Sequence, residues 1–220
     1  MIQLEVELQH LRDEVNDMWG LVTSQLTRAG TSLFTLDKEL ARKVIQQEKK
    51  VNGSELQIDL DCENIFALYT PVAVDLRFLL AVLKINSNLE RIGDIAEGIA
   101  KYVLDAGGPF TPELLKATKV VEMYNESMAM LGDAKVAFEK EDTVLARGVF
   151  KKDEFLDTIN VNANDLIESY LEEYPGDLGH ALYISSIIRK LERVGDQSKN
   201  IAEEIIFYLE AKVVKHGKKN

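Results

Sequence analysis

The segment LERIGDIAEGIA at residues 89–100 returns as LERVGDQSKNIA at residues 191–202. A chain that uses one helical segment twice, about half its length apart, is built from two copies of one unit. At the same offset Asp75, Leu76, Leu80, Ile99 and Ala100 also match their partners. Two unrelated amphipathic helices share apolar spacing by chance. They do not share Glu-Arg-x-Gly-Asp.

Helix explains nearly all of the remaining pattern. Leu4, Leu8, Leu11, Val15, Met18, Val22 and Leu26 recur at spacings of three and four, which forms one apolar stripe over many turns. The four prolines fall where that periodicity breaks, as residues suited to a first turn and not to a helix interior. Thr70-Pro71 and Thr111-Pro112 read as a cap followed by the first helical residue, and Pro175-Gly176-Asp177 as a stop and a fresh cap. These signals predict six long helices, near residues 3–30, 35–69, 71–105, 112–139, 142–174 and 177–214. With GGPFT at 107–111 as the linker, the expected fold is all-α. It consists of two tandem, duplicated three-helix bundles, at 1–106 and 112–220, each with its LERxGD copy on the third helix.

Charge narrows the partners. The formal net charge is −11, which repels nucleic-acid backbones and favours cations or basic protein surfaces. No apolar run approaches the roughly 18 residues that span a bilayer, and the acidic, amphipathic N-terminus does not resemble a signal peptide. Cys62 is the single cysteine, so no internal disulfide can form and a cytoplasmic location is expected. Its apolar neighbours make it a core residue.

At 100° per residue, Ile85, Leu89, Ile92, Ala96, Ile99 and Val103 share the core side of the third helix. Glu90 and Asp94, one turn apart, lie away from it. Glu192 and Asp196 stand in the same relation to Ile187, Leu191, Val194, Ile201 and Ile205. Two readings remain open. One is a solvated face with weak Arg91–Asp94 and Arg193–Asp196 pairs. The other is a cation site, because hard cations take carboxylate oxygens and an i,i+4 pair converges. Gly93 and Gly195 favour a close approach, since a mid-helix glycine costs about 1 kcal/mol against alanine. A second repeated stripe supplies further oxygens: Glu48, Asn52, Glu55 and Asp59 on the second helix, and Asp153, Asp157, Asn160 and Asn164 on the fifth.

Ferritin-like di-iron chemistry needs two inward Glu-x-x-His motifs, and Glu7-Leu8-Gln9-His10 is the sole match. His180 and His216 are isolated, and no P-loop, nucleophile elbow, HExxH or CxxC is present. No catalytic residue is therefore expected. A metal-dependent hydrolase or oxidase and a metal-free helical adaptor remain as the alternatives.

The two LERxGD segments, with TPVAVDLR at 70–77, EKKVNGSE at 48–55 and KKDEFLD at 151–157, resemble the PhoU family of phosphate-specific transport accessory proteins. The resemblance covers essentially the whole chain. It implies a non-enzymatic, cytoplasmic, homodimeric regulator that acts negatively on phosphate uptake and on the phosphate-starvation regulon. Its implied partners are the phosphate transporter ATPase and the phosphate-sensing histidine kinase, with membrane contact only through them. It implies surface metal clusters of iron, zinc, manganese or magnesium on Glu90, Asp94, Glu192 and Asp196, with Glu48, Asp153 and Asp157 beside them. Asn52, Glu55 and Asp59 are possible additional ligands. Asn160 and Asn164 replace acids of the first half, which implies two sites of unequal charge.

Overall fold

The computed structural model describes residues 2–214, with side chains from residue 3. His216 lies outside the described residues. Seven α-helices and one 3-10 turn account for nearly all of the described chain, and no strand occurs among those residues. In chain order they are α1 (Ile2–Thr35), α2 (Lys38–Leu68), α3 (Ala73–Asp105), α4 (Pro112–Ala117), α5 (Val120–Lys140), α6 (Thr143–Glu173) and α7 (Leu178–Glu210). The 3-10 turn Pro175–Asp177 precedes α7. Helices α1–α3 form one bundle and α5–α7 the other, with short α4 lying against α5 and α6.

Side-chain caps set three of the helix starts. Asp37 caps α2 by accepting the Leu40 amide, and Asp142 caps α6 by accepting those of Val144 and Leu145. Thr111 caps α4 through Leu114 N–H, with Pro112 inside the first turn, as expected.

Four boundaries differ from the expected ones. The helix expected at 112–139 is broken: Thr118 Oγ1 donates back to Leu114 O, Lys119 turns left-handed at φ 55°, and Val120 starts α5. Thr70-Pro71 lies before α3, whose cap is Val72 without a side-chain bond. The first helix runs on past Gly30 to Thr35. At Gly30 the Tyr124 ring of α5 occupies the space a Cβ would take, so this glycine admits a neighbour and does not end the helix. Helix α7 stops at Glu210, where Ala211 turns left-handed.

The expected apolar stripes are buried, including Leu89, Ile92, Ala96, Leu191, Val194 and Ile201. Cys62 is buried too, and burial pushes its thiol up to about 12. The bundles share a core. Trp19 of α1 lies 5.8 Å from Phe138 of α5, and Phe78 of α3 stacks on Phe138 while meeting Tyr208 of α7 edge-on.

The bundles join along α3 and α7, which run antiparallel. Lys84 meets Glu204, Asn200 donates to Asn88, the Lys190 ammonium reaches Gly98, and Tyr102 packs on Tyr183. Numbers rise on one helix as they fall on the other, so an approximate twofold axis relates the halves. The two LERxGD segments lie side by side across it.

Candidate metal centre

The core stripe of α3 leaves Glu90 half-buried and Asp94 exposed, and α2 brings Glu48 beside them at 6% exposure. One carboxylate oxygen from each of Glu48, Glu90 and Asp94 lies within 4.8 Å of the other two. That spacing suits a shared hard cation, because two oxygens each about 2.0–2.6 Å from one ion are at most about 5 Å apart. Glu48 Oε2 accepts the Gln25 amide at 2.6 Å, while Glu48 Oε1 is buried with no hydrogen-bond partner among the described residues. An unsatisfied buried carboxylate oxygen is costly, and a cation would satisfy it.

Gly93 holds this arrangement together. A Cβ there would sit 3.1 Å from Val51 Cγ1 and 3.2 Å from both Gln25 Oε1 and Glu48 Oε2. The missing side chain lets α1 and α2 press the Gln25–Glu48 pair against α3.

Electrostatics agree with the crowding. Burial raises Glu90 to about 7, with Asp94, Glu55 and Glu48 adding repulsion. Glu48 is raised chiefly by burial, against the lowering effect of the Gln25 bond. Glu55 is raised by burial and then by Asp59 and Asp94. Carboxylates held above their usual range at neutral pH are poised to gain from a cation. Of the outer stripe, Asn52 is exposed and Asp59 accepts the Asn86 amide at 2.9 Å, which ties it to the helix packing.

The second half is arranged differently. Asp153 is buried at 4% exposure, Glu192, Asp196, Asp157 and Asn160 are half-buried, and Asn164 is exposed. Burial raises Glu192 and Asp196, and repulsion from Asp153 and Asp157 adds to both. Yet Lys199 Nζ bonds Asp153 Oδ2, and no three acids here approach as closely as the first-half triad. Lys199 occupies the position that Glu97 holds in the first repeat, so one substitution places a cation inside the second cluster. At Gly195 a Cβ would meet Leu156 Cδ1 at 2.4 Å, so this glycine also admits a neighbouring helix.

The Arg91–Asp94 and Arg193–Asp196 pairs of the solvated-face reading do not form among the described residues. Among the described residues the ion pairs near the seam are Lys84–Glu204, Lys101–Glu97 and Lys199–Asp153. Arg91 and Arg193 instead line a cleft between α3 and α7. His180 is structural: it bonds Asp177 at 2.7 Å and packs edge-on against Phe110. His10 faces solvent beside Glu14. Sequence reasoning missed Gln25 and Lys199. The signal for Gln25 was a lone amide within the α1 apolar stripe.

The chain resembles known proteins over nearly its full length. The family model for the PhoU domain matches twice, at residues 15–103 and 120–205. It is 33% identical to the phosphate-specific transport system accessory protein PhoU of Edwardsiella tarda, over 97% of this chain and 87% of that protein. The Escherichia coli (strain K12) protein of the same name is 31% identical over 97% and 88%. The crystal structure of PhoU from Pseudomonas aeruginosa superposes with a TM-score of 0.88 at 31% identity, covering 94% of this chain and 99% of that one. The phosphate transport system regulatory protein PhoU from Streptococcus pneumoniae gives 0.86 at 29% identity, covering 96% and 99%. With both repeats matched and the same helical architecture, the chain belongs to the PhoU family.

Proposed function

We propose that this protein is an accessory regulator of a phosphate transport system, a role supported by near-full-length similarity to proteins bearing that name. In this reading it restrains phosphate uptake and the phosphate-starvation regulon when phosphate is plentiful. It docks on the transporter ATPase and on the phosphate-sensing histidine kinase. It works in the cytoplasm as a homodimer and reaches the membrane through those partners. No helix among the described residues is long and apolar enough to cross a membrane. Its units are the repeats at 1–106 and 112–220, joined by 107–111.

The observation that supports a metal is the convergence of Glu48, Glu90 and Asp94 around an unsatisfied buried oxygen. These three would hold iron, zinc, manganese or magnesium, with Glu55 adjacent. Glu192, Asp196, Asp153 and Asp157 would form a weaker second site, because Lys199 already neutralises Asp153. A cation at the first site would clamp α2 to α3 and fix the acidic surface a partner meets. A structural clamp needs no proton carrier, and we assign this chain no catalysis.

Deleting the gene should raise expression of phosphate-starvation genes in phosphate-rich medium. Unchanged expression overturns the regulatory reading. Turnover by metal-loaded protein that is lost in Glu90→Gln and Asp196→Asn would replace it with an enzymatic one.

A further inference from the structure

The seam between the repeats carries a second feature, chemically opposite to the acid clusters. A cleft of about 400 Å³ opens between α3 and α7, and Arg91, Lys101, Lys190 and Arg193 line it. Cations are four of its nine lining residues, against 26 of 220 in the chain. Among the described residues, Lys101 alone of the four has an ion-pair partner, Glu97. Arg91, Lys190 and Arg193 make no ion pair among the described residues. In a protein of net charge −11, unpaired cations would be expected to spread toward the many acids. Here they gather.

The duplication gives an internal control. The approximate twofold axis generates a matching position at the other end of the seam. Arg91 and Arg193 lie near the axis and exchange with each other. Lys190 becomes Asn88, Lys101 becomes Glu203, Tyr102 becomes Glu204 and Gly98 becomes Asn200. Lys84 bridges to Glu204 at that end, and Asn200 bonds Asn88. Thus one sequence, used twice, has become cationic at one end and acidic or amide-filled at the other. Gly98 belongs to the same divergence. A Cβ there would overlap the Lys190 ammonium at 2.4 Å, so the glycine lets Lys190 lie across α3, 5.6 Å above the Tyr102 ring.

We propose that this cleft binds a small anion carrying two or more phosphoryl groups. Two guanidinium groups offer planar pairs of N–H donors that match phosphoryl oxygens, and two ammonium groups add point charge. The volume of the cleft and its four cations suit a multiply charged anion better than a single oxyanion, and Tyr102 walls one side. Asp94 and Glu97 also face it, and they oppose anions of low charge density. Pyrophosphate and the phosphate chain of a nucleotide present the same chemistry, so the two sources are separated by experiment.

The test uses the full chain, stripped of metal by chelator and dialysed, so that it is independent of the metal and regulatory readings. Pyrophosphate, ATP, orthophosphate and sulfate are titrated by calorimetry at fixed salt. Pyrophosphate or ATP should bind at one site per chain, each at least about tenfold tighter than sulfate or orthophosphate. Equal binding of the first two assigns the site to the phosphate chain, and tighter ATP assigns the base to Tyr102. Arg91→Gln with Arg193→Gln should weaken binding at least about tenfold, as should Lys101→Gln with Lys190→Gln. These side chains reach the surface, so unchanged helical signal and melting temperature confirm folded variants. Asp94→Asn should tighten binding by removing a repelling charge. No binding, binding equal to sulfate, or binding that survives both double substitutions overturns the proposal. Arg91 and Arg193 would then serve only to offset Glu90 and Glu192.

Discussion

Gln25 donates its amide to Glu48 Oε2 across 2.6 Å, from a position on α1 with no solvent exposure. A buried carboxylate facing two others is thereby held by a neutral donor, and its second oxygen stays free of hydrogen bonds among the described residues. A lysine at that place would close the site to cations, as Lys199 does for Asp153 in the second repeat.

Gln25→Leu should therefore do two things. It removes the one bond that lowers Glu48, so that carboxyl rises further and manganese binding weakens. It also leaves Glu48 without its donor, at a cost of about 1–3 kcal/mol. Thermal unfolding and metal titration of the same sample check both.

Lys199→Met reverses the asymmetry between the repeats. Without metal, Asp153 loses its partner while buried, and stability should fall by about 3 kcal/mol. Added manganese should restore much of that loss, because the second cluster then resembles the first. Melting temperatures with and without manganese decide it, and equal melting in both conditions counts against the second site.

The pH dependence of the metal-free protein has a definite sign. Glu90 has its carboxyl raised from 4.5 to about 7. Between those values the folded state binds more protons than the unfolded state, so stability falls as pH rises through that window. Below about 4.5 both states are protonated and the penalty vanishes. Allowing for solvent screening at this half-buried position, the loss attributable to Glu90 is about 1–2 kcal/mol. Glu90→Gln should flatten the profile over that range in denaturant titrations. Metal affinity should rise over the same window as the proton leaves.

Gly195→Ala gains about 1 kcal/mol of helix propensity but drives a Cβ into Leu156, which is fully buried. Overpacking of this kind costs about 1–3 kcal/mol, so a net loss near 1 kcal/mol is expected. Gly93→Ala meets looser contacts of 3.1–3.2 Å, and its main effect should be displacement of Glu48, seen as weaker metal binding at nearly unchanged stability.

Trp19, the single tryptophan, sits at the junction of the two bundles against Phe138. Its fluorescence and the far-ultraviolet helical signal should therefore lose structure at one denaturant midpoint. Two separated midpoints would mean that the bundles unfold independently.

The helices and their core faces were legible because apolar periodicity is a local signal, strong over thirty residues. The α4–α5 break was not, because Lys119 carries no glycine or proline to announce its left-handed turn. In the site, spacing pointed to Glu90 and Asp94 as a pair and to Glu48 as one of four oxygen-bearing residues on the next helix. Their unequal burial was not legible, since it depends on how α1 covers α2. Where Arg91 and Arg193 go was hidden for a related reason. An i,i+3 spacing permits an ion pair, but the antiparallel approach of α3 and α7 gives these side chains another place to go.

That approach has an evolutionary consequence. Two separate copies of a single-bundle chain meeting across a twofold axis must carry the same residue at both ends of their seam. Joined in one chain, the copies escape that rule. Lys101 can stand at one end while Glu203 stands at the other, and Lys199 can enter one acid cluster without entering its twin. Covalent fusion converts a symmetric platform into one with two distinguishable faces, each open to selection on its own.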